Sequence, residues 1–141
     1  MSSNPFVGTW KLVSFEMQGA DGQVTYLFGK DAVGYIIYTP EGYVSVNMMS
    51  RARRPLASQD TARLTDAERK EILDSCSSYC GRYEIDSSRV IHHVEVGLNP
   101  NWIGGDQERF YEIAGNRLTL SMPPFLNGGI MQTGHLVWER V

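Results

Sequence analysis

Short strand-forming segments joined by tight turn signals fill this chain, and that succession restricts its fold more than any other feature. The segments cover residues 7–16, 23–28, 34–38, 43–49, 81–85, 90–96, 108–113, 117–122 and 130–140. Thr39-Pro40-Glu41-Gly42 joins the third and fourth as a hairpin, because proline presets φ and glycine supplies the positive φ of a tight loop. Asp86-Ser87-Ser88, Ala114-Gly115-Asn116 and the Pro- and Gly-rich residues 123–129 punctuate the later segments. Strands and helices do not alternate, which argues against a parallel sheet. Nine short strands read instead as an antiparallel meander, sandwich or barrel, close to the eight strands of a small barrel that can hold one ligand.

The main helix follows a basic, polar stretch that includes Arg51, Arg53 and Arg54, where residues 57–64 offer a shorter helical turn. Thr65-Asp66-Ala67-Glu68 is a capping box: the Thr65 hydroxyl accepts from the Glu68 N–H, and the Glu68 side chain reaches back. Ala67, Ile72, Leu73, Cys76 and Tyr79 recur at near-helical spacing. The helix is therefore expected to run on towards Gly81, with Cys76 and Cys80 as free thiols near its end.

Size and charge bound the function. A chain of 141 residues is expected to be one domain, residues 1–141, with a full core. Its 13 Lys and Arg against 16 Asp and Glu leave a net charge of −3, without the basic footprint of a nucleic-acid binder. No apolar stretch approaches the roughly 20 residues of a membrane span. Two cysteines do not make a disulfide scaffold, and no leader is visible at Met1–Pro5, so a cytoplasmic protein is expected.

Alternation along each strand assigns the faces. In residues 90–96 the face with Val90, His92, Val94 and Val96 is the more apolar and is placed inside; a slipped register would put His93 there instead. In residues 108–113 the two glutamates want water, so Arg109 turns inward with Tyr111 and Ile113. Tyr83 and Ile85 face inward against Arg82 and Glu84. On the hairpin both faces remain candidates, Tyr43/Ser45/Asn47/Met49 and Val44/Val46/Met48, and Asn47 and Met49 enter the ligand-binding set. The loop of residues 98–105 carries Trp102, either as a cover over a ligand or as packing on the barrel end. An inward arginine suits an anionic or enolate-like oxygen, or else a buried pair with Glu95 or Glu16. Trp10 and Arg140 lie early in the first strand and late in the last, so a closed meander brings guanidinium and indole together.

Gly8-Thr9-Trp10 at the head of a β-meander resembles the lipocalin and calycin barrels. The ordered set NPFVGTWKLVSFE, GYIIYTPEGYVSVNMM, YCGRYEID, VIHHVEVGLNPNWIGGDQERFYEI, NRLTLS and WER is more specific. It resembles the bacterial and fungal lipocalin-like domain family over residues 4–140. The resemblance implies an all-β antiparallel barrel of about 8–10 strands with one inserted helix, closed around an apolar cavity. It implies a small-molecule binder. Some members of the family are tied to polyketide and other secondary-metabolite pathways, which implies a cofactor-independent cyclase, isomerase or lyase as the alternative.

Two function classes follow. A carrier would hold a small hydrophobic molecule bearing a carbonyl or acidic oxygen, gripped by Arg109, Tyr83 and Tyr111 and covered by Trp102. An enzyme acting on a polyketide-like or enone substrate would use Arg109 for a developing oxyanion and His92 or His93 to move a proton. No Gly-x-Ser-x-Gly elbow and no phosphate-binding loop is present in the sequence, and neither an organic cofactor nor a metal is expected. A homodimer is compatible with this reading.

Overall fold

The computed structural model describes residues 3–141. Ten strands are formed: β1 (Gly8–Gly19), β2 (Val24–Thr25), β3 (Val33–Tyr38), β4 (Tyr43–Met49), β5 (Cys76–Ile85), β6 (Arg89–Gly97), β7 (Asp106–Ala114), β8 (Arg117–Ser121), β9 (Phe125–Asn127) and β10 (Ile130–Arg140). One helix, α1 (Asp66–Asp74), lies between β4 and β5. Eight strands pair antiparallel in the ring β1-β3-β4-β5-β6-β7-β8-β10, which closes where β10 returns to β1. The short β2 and β9 are additions to the rim beside β1 and β10.

Strand direction gives the barrel two unlike ends. At one end the connections are tight: β3 to β4, β5 to β6 and β7 to β8. The N-terminal segment seals this end. Phe6 is fully buried there, with its ring 5.0 Å from Tyr38 and 4.8 Å from Tyr111. Arg140 locks the seal: its Cζ sits 4.1 Å from the Trp10 ring centroid, and its Nη atoms donate to the Val7 and Pro5 carbonyls at 2.9 and 2.8 Å. The anticipated contact between the first and last strands is therefore present. At the opposite end the four longer connections emerge: residues 20–32, 50–75, 98–105 and 122–129.

Several elements differ from the sequence expectation. The capping box of Thr65 and Glu68 is formed, but α1 ends at Asp74 and buries no residue. Cys76 and Cys80 are on strand β5, not on a helix. The buried run Tyr79, Gly81, Tyr83 alternates with half-exposed Ser78 and Cys80 and exposed Arg82 and Glu84, and follows the strand period once Ser75 ends the helix. The strand expected over residues 23–28 contracts to Val24–Thr25. Phe125–Asn127 pairs with β10 across Gly128-Gly129, both at positive φ, as a two-residue hairpin requires.

Two bulges reset the faces. In β1 the partner register jumps between Leu12 and Ser14, so Val13 is extra; Trp10 and Leu12 face in before it, Phe15 and Met17 after it. Between β5 and β6 it jumps at Cys80/Gly81, so Glu95 is extra and Val96 turns out, 58% exposed, contrary to expectation. Gly81 permits that close approach, because a Cβ there would sit 1.8 Å from the His93 carbonyl oxygen. Ile85 is also exposed, at the very end of β5.

Candidate functional site

The open end leads into a cavity of about 1070 Å³. Its wall is mostly apolar because each strand contributes its inward parity: Phe15 and Met17, Ile36, Val46 and Met48, Leu120, Leu136 and Trp138. Met122, Phe125, Leu98 and Trp102 surround the mouth. Trp102 stands edge-on to Tyr79 with ring centroids 6.0 Å apart. Met48 and Met122 thus line the cavity, while Met131 and Leu126 lie exposed on the rim.

Polar groups enter from β5, β6 and β7. His92 is 1% exposed and is held from both sides: Nε2 lies 2.7 Å from Tyr38 Oη, and Nδ1 lies 2.6 Å from Tyr79 Oη. Burial pushes the His92 imidazole down to about 3, with the charge of Arg109 and then His93 acting in the same direction, so the ring is neutral at pH 7. Burial raises the phenols of Tyr38 and Tyr79, against the opposing pull of Arg109.

Arg109 is 8% exposed and lines the cavity. It donates to the Glu108 carbonyl at 2.8 Å and to Gln107 Oε1 at 3.3 Å. Among the described residues it forms no salt bridge within 4.0 Å. The anticipated alternative of a pair with Glu95 or Glu16 is absent; Glu95 instead accepts from the Arg82 backbone N–H on the outer face. The wall holds a second donor: among the described residues the buried indole N–H of Trp138 has no partner. Among the described residues no group of three His, Cys, Asp or Glu is placed to hold a metal ion.

The remaining candidates fall outside the cavity. His93 points outward: its Nδ1 is 2.7 Å from Asp106 Oδ1, and that hydrogen bond raises its pKa. Its Nε2 lies 3.3 Å from Glu84 Oε1 but is not aligned for a hydrogen bond. Asn47 and Met49 face out, because β4 turns its all-apolar parity of Val44, Val46 and Met48 inward; Asn47 accepts from the Ser78 hydroxyl there. Tyr83 and Tyr111 belong to the sealed end. The Tyr83 hydroxyl donates to the Thr39 carbonyl at 2.9 Å and accepts from Asn4, and Tyr111 donates to the Asp86 carbonyl at 3.0 Å. Sequence reasoning missed Tyr38, Tyr79 and Trp138. Parity from Ile36 would have found Tyr38; the Tyr79/Gly81/Tyr83 alternation would have found Tyr79.

The profile of the lipocalin-like domain family matches residues 7–141. The chain belongs to the lipocalin-like domain family. A lipocalin-like protein from Bacteroides uniformis, known from its crystal structure, superposes with a TM-score of 0.50 at 14% identity, covering 98% of this chain and 100% of that one. This likeness shows the fold. A relative in Aspergillus oryzae is 36% identical over 86 residues, 55% of this chain and 78% of that protein, and is named 4′-hydroxy-3′-methoxypropiophenone carrier protein ppsC. No helix among the described residues of this lipocalin-like chain is long and apolar enough to cross a membrane.

Proposed function

We propose that this protein binds a small hydrophobic molecule bearing a carbonyl or acidic oxygen inside its barrel and acts as the carrier of that molecule. The observation that carries the reading is Arg109, a buried guanidinium that has no carboxylate partner among the described residues and lies on the wall of a mostly apolar cavity. A buried cation is costly unless something pairs with it. A ligand oxygen entering a greasy, pre-formed cavity of this size would do so. The relative in Aspergillus oryzae supports the same chemical class, since the compound in its name is an aryl ketone with an acidic phenol.

The alternative, a cofactor-independent cyclase, isomerase or lyase, needs a group that moves a proton near neutral pH. His92 has both ring nitrogens engaged by tyrosines and titrates near 3, and His93 faces solvent. The geometry supports a binder better than a proton-transfer enzyme. Titration calorimetry with 4′-hydroxy-3′-methoxypropiophenone tests this. Saturable one-to-one binding, with the compound recovered unchanged, is expected. No binding of this or any apolar aryl ketone or aryl acid would overturn it, and conversion of the compound would favour the alternative.

A further inference from the structure

The tyrosines on either side of His92 leave a proton over. A neutral imidazole has one N–H and one bare nitrogen, and each phenol has one O–H. The three groups therefore bring three hydrogens to two hydrogen bonds, Tyr38 Oη with Nε2 and Tyr79 Oη with Nδ1. One bond is donated by the ring and the other by a phenol, so one phenol keeps a proton that the trio does not use. The tautomer of His92 decides which phenol that is.

The surroundings of the two phenols differ. Tyr38 is 1% exposed and sits in the floor between the rings of Phe6 and Tyr83, 5.0 and 4.9 Å away. Among the described residues its hydroxyl has no partner besides His92. A spare proton there would be a buried donor with nothing to receive it, which is costly. Tyr79 lines the cavity, where a ligand or water can accept. We propose that Tyr38 donates to Nε2 of His92 and His92 donates from Nδ1 to Tyr79, so that these two residues hold the Tyr79 hydroxyl proton free in the cavity as a recognition donor beside Arg109.

The inference rests on the small-molecule reading and narrows its ligand. Tyr79, Arg109 and Trp138 all line the cavity, and with this assignment each brings a donor to its wall: the Tyr79 O–H, the Arg109 guanidinium and the Trp138 N–H, which has no partner among the described residues. Such a wall selects an oxygen that accepts and has no hydrogen to give: a ketone carbonyl or an ionised acid. A phenol that accepts an N–H is polarised into a better donor, which strengthens the Tyr79 contact. Tyr38 and His92 are positioning residues that act through Tyr79.

Two-bond nitrogen–proton NMR on ¹⁵N-histidine-labelled protein without ligand reads the tautomer directly. The signals are assigned with His93→Gln and His135→Gln. A neutral His92 protonated at Nδ1 is expected; protonation at Nε2, or a charged ring, overturns the proposal. Tyr38→Phe supplies the second arm. Without the Tyr38 donor, the strongest bond left is phenol to imidazole, so Tyr79 turns its proton onto Nδ1 and His92 switches to Nε2–H. Affinity for 4′-hydroxy-3′-methoxypropiophenone is expected to fall about tenfold in both Tyr38→Phe and Tyr79→Phe, with no further loss in the double variant. A folded Tyr38→Phe that keeps the native tautomer and full affinity overturns the positioning role. If the wild type binds no such compound, the carrier reading fails, and the tautomer of the free protein still decides the proton assignment.

Discussion

Replacing Arg109 by methionine is expected to leave stability near that of the wild type and to weaken binding. In the free protein the guanidinium is taken out of water with only a carbonyl and an amide oxygen as partners. Losing those two bonds from a charged group costs about 1.5–3 kcal/mol each, and the desolvation penalty relieved is of similar size, several kcal/mol for a buried ion. Methionine keeps the stem's volume and adapts to the wall of Ile36, Leu120 and Trp138. The two nearly offset, so the variant is expected to stay within about 2 kcal/mol of wild-type stability, as when buried charges give way to apolar groups of similar volume. Binding should suffer instead. A hydrogen bond to a charged group is worth about 1.5–3 kcal/mol, or roughly 10- to 150-fold in affinity for an aryl ketone or acid. Urea denaturation at constant slope gives the first quantity and calorimetry the second. A variant destabilised by more than about 2 kcal/mol with unchanged affinity would refute the reasoning and make Arg109 a structural residue.

The pH dependence follows from His92. Its folded pKa is lowered from 6.5 to about 3, so between pH 6.5 and about 3 the unfolded chain takes up a proton that the folded protein does not. Stability falls as pH falls, by up to about 1.4 kcal/mol per pH unit from this group. His93, with its raised pKa, works the other way: its contribution is present at low pH and is lost as pH rises through the folded value. Denaturation profiles of wild type and His92→Gln isolate the first effect; the variant should be flatter, and parallel profiles contradict the assignment. Arg140→Met removes the contact with Trp10 and both anchors of the N-terminal seal, and should cost about 2–4 kcal/mol in guanidinium melts. Gly81→Ala forces a Cβ onto the His93 carbonyl and should cost about 1–3 kcal/mol or prevent folding; a variant as stable as wild type would show that the bulge can relax.

Much of the barrel was legible because its strands obey simple alternation. Val90, His92 and Val94 against Ile91, His93 and Glu95 gave the correct face, and the glutamates beside Arg109 turned it inward. Three things were hidden. The helical period of residues 65–73 runs directly into CSSYC, and Tyr79 fits both a 3.6 and a 2.0 repeat, so the start of β5 was absorbed into the helix. The bulge at Val13 carries no local signature, and the one at Glu95, which sent Val96 outward, is marked only by Gly81 on the facing strand. The plug at the sealed end is a non-local event: Phe6, Asn4 and Arg140 come from the chain termini and claim Tyr83 and Tyr111 for packing. Parity alone places those two tyrosines inside, but it does not say at what depth along the axis.

The central claim is that a ligand oxygen meets Arg109 and Tyr79 inside the barrel. A crystal structure of the complex with 4′-hydroxy-3′-methoxypropiophenone tests it most directly. The compound should lie among Met17, Met48, Leu120 and Leu136, with one oxygen at about 3 Å from both the Arg109 guanidinium and Tyr79 Oη. A compound bound on the outer wall, or seated in the cavity with its oxygens at the mouth and its apolar end against Arg109, would contradict it.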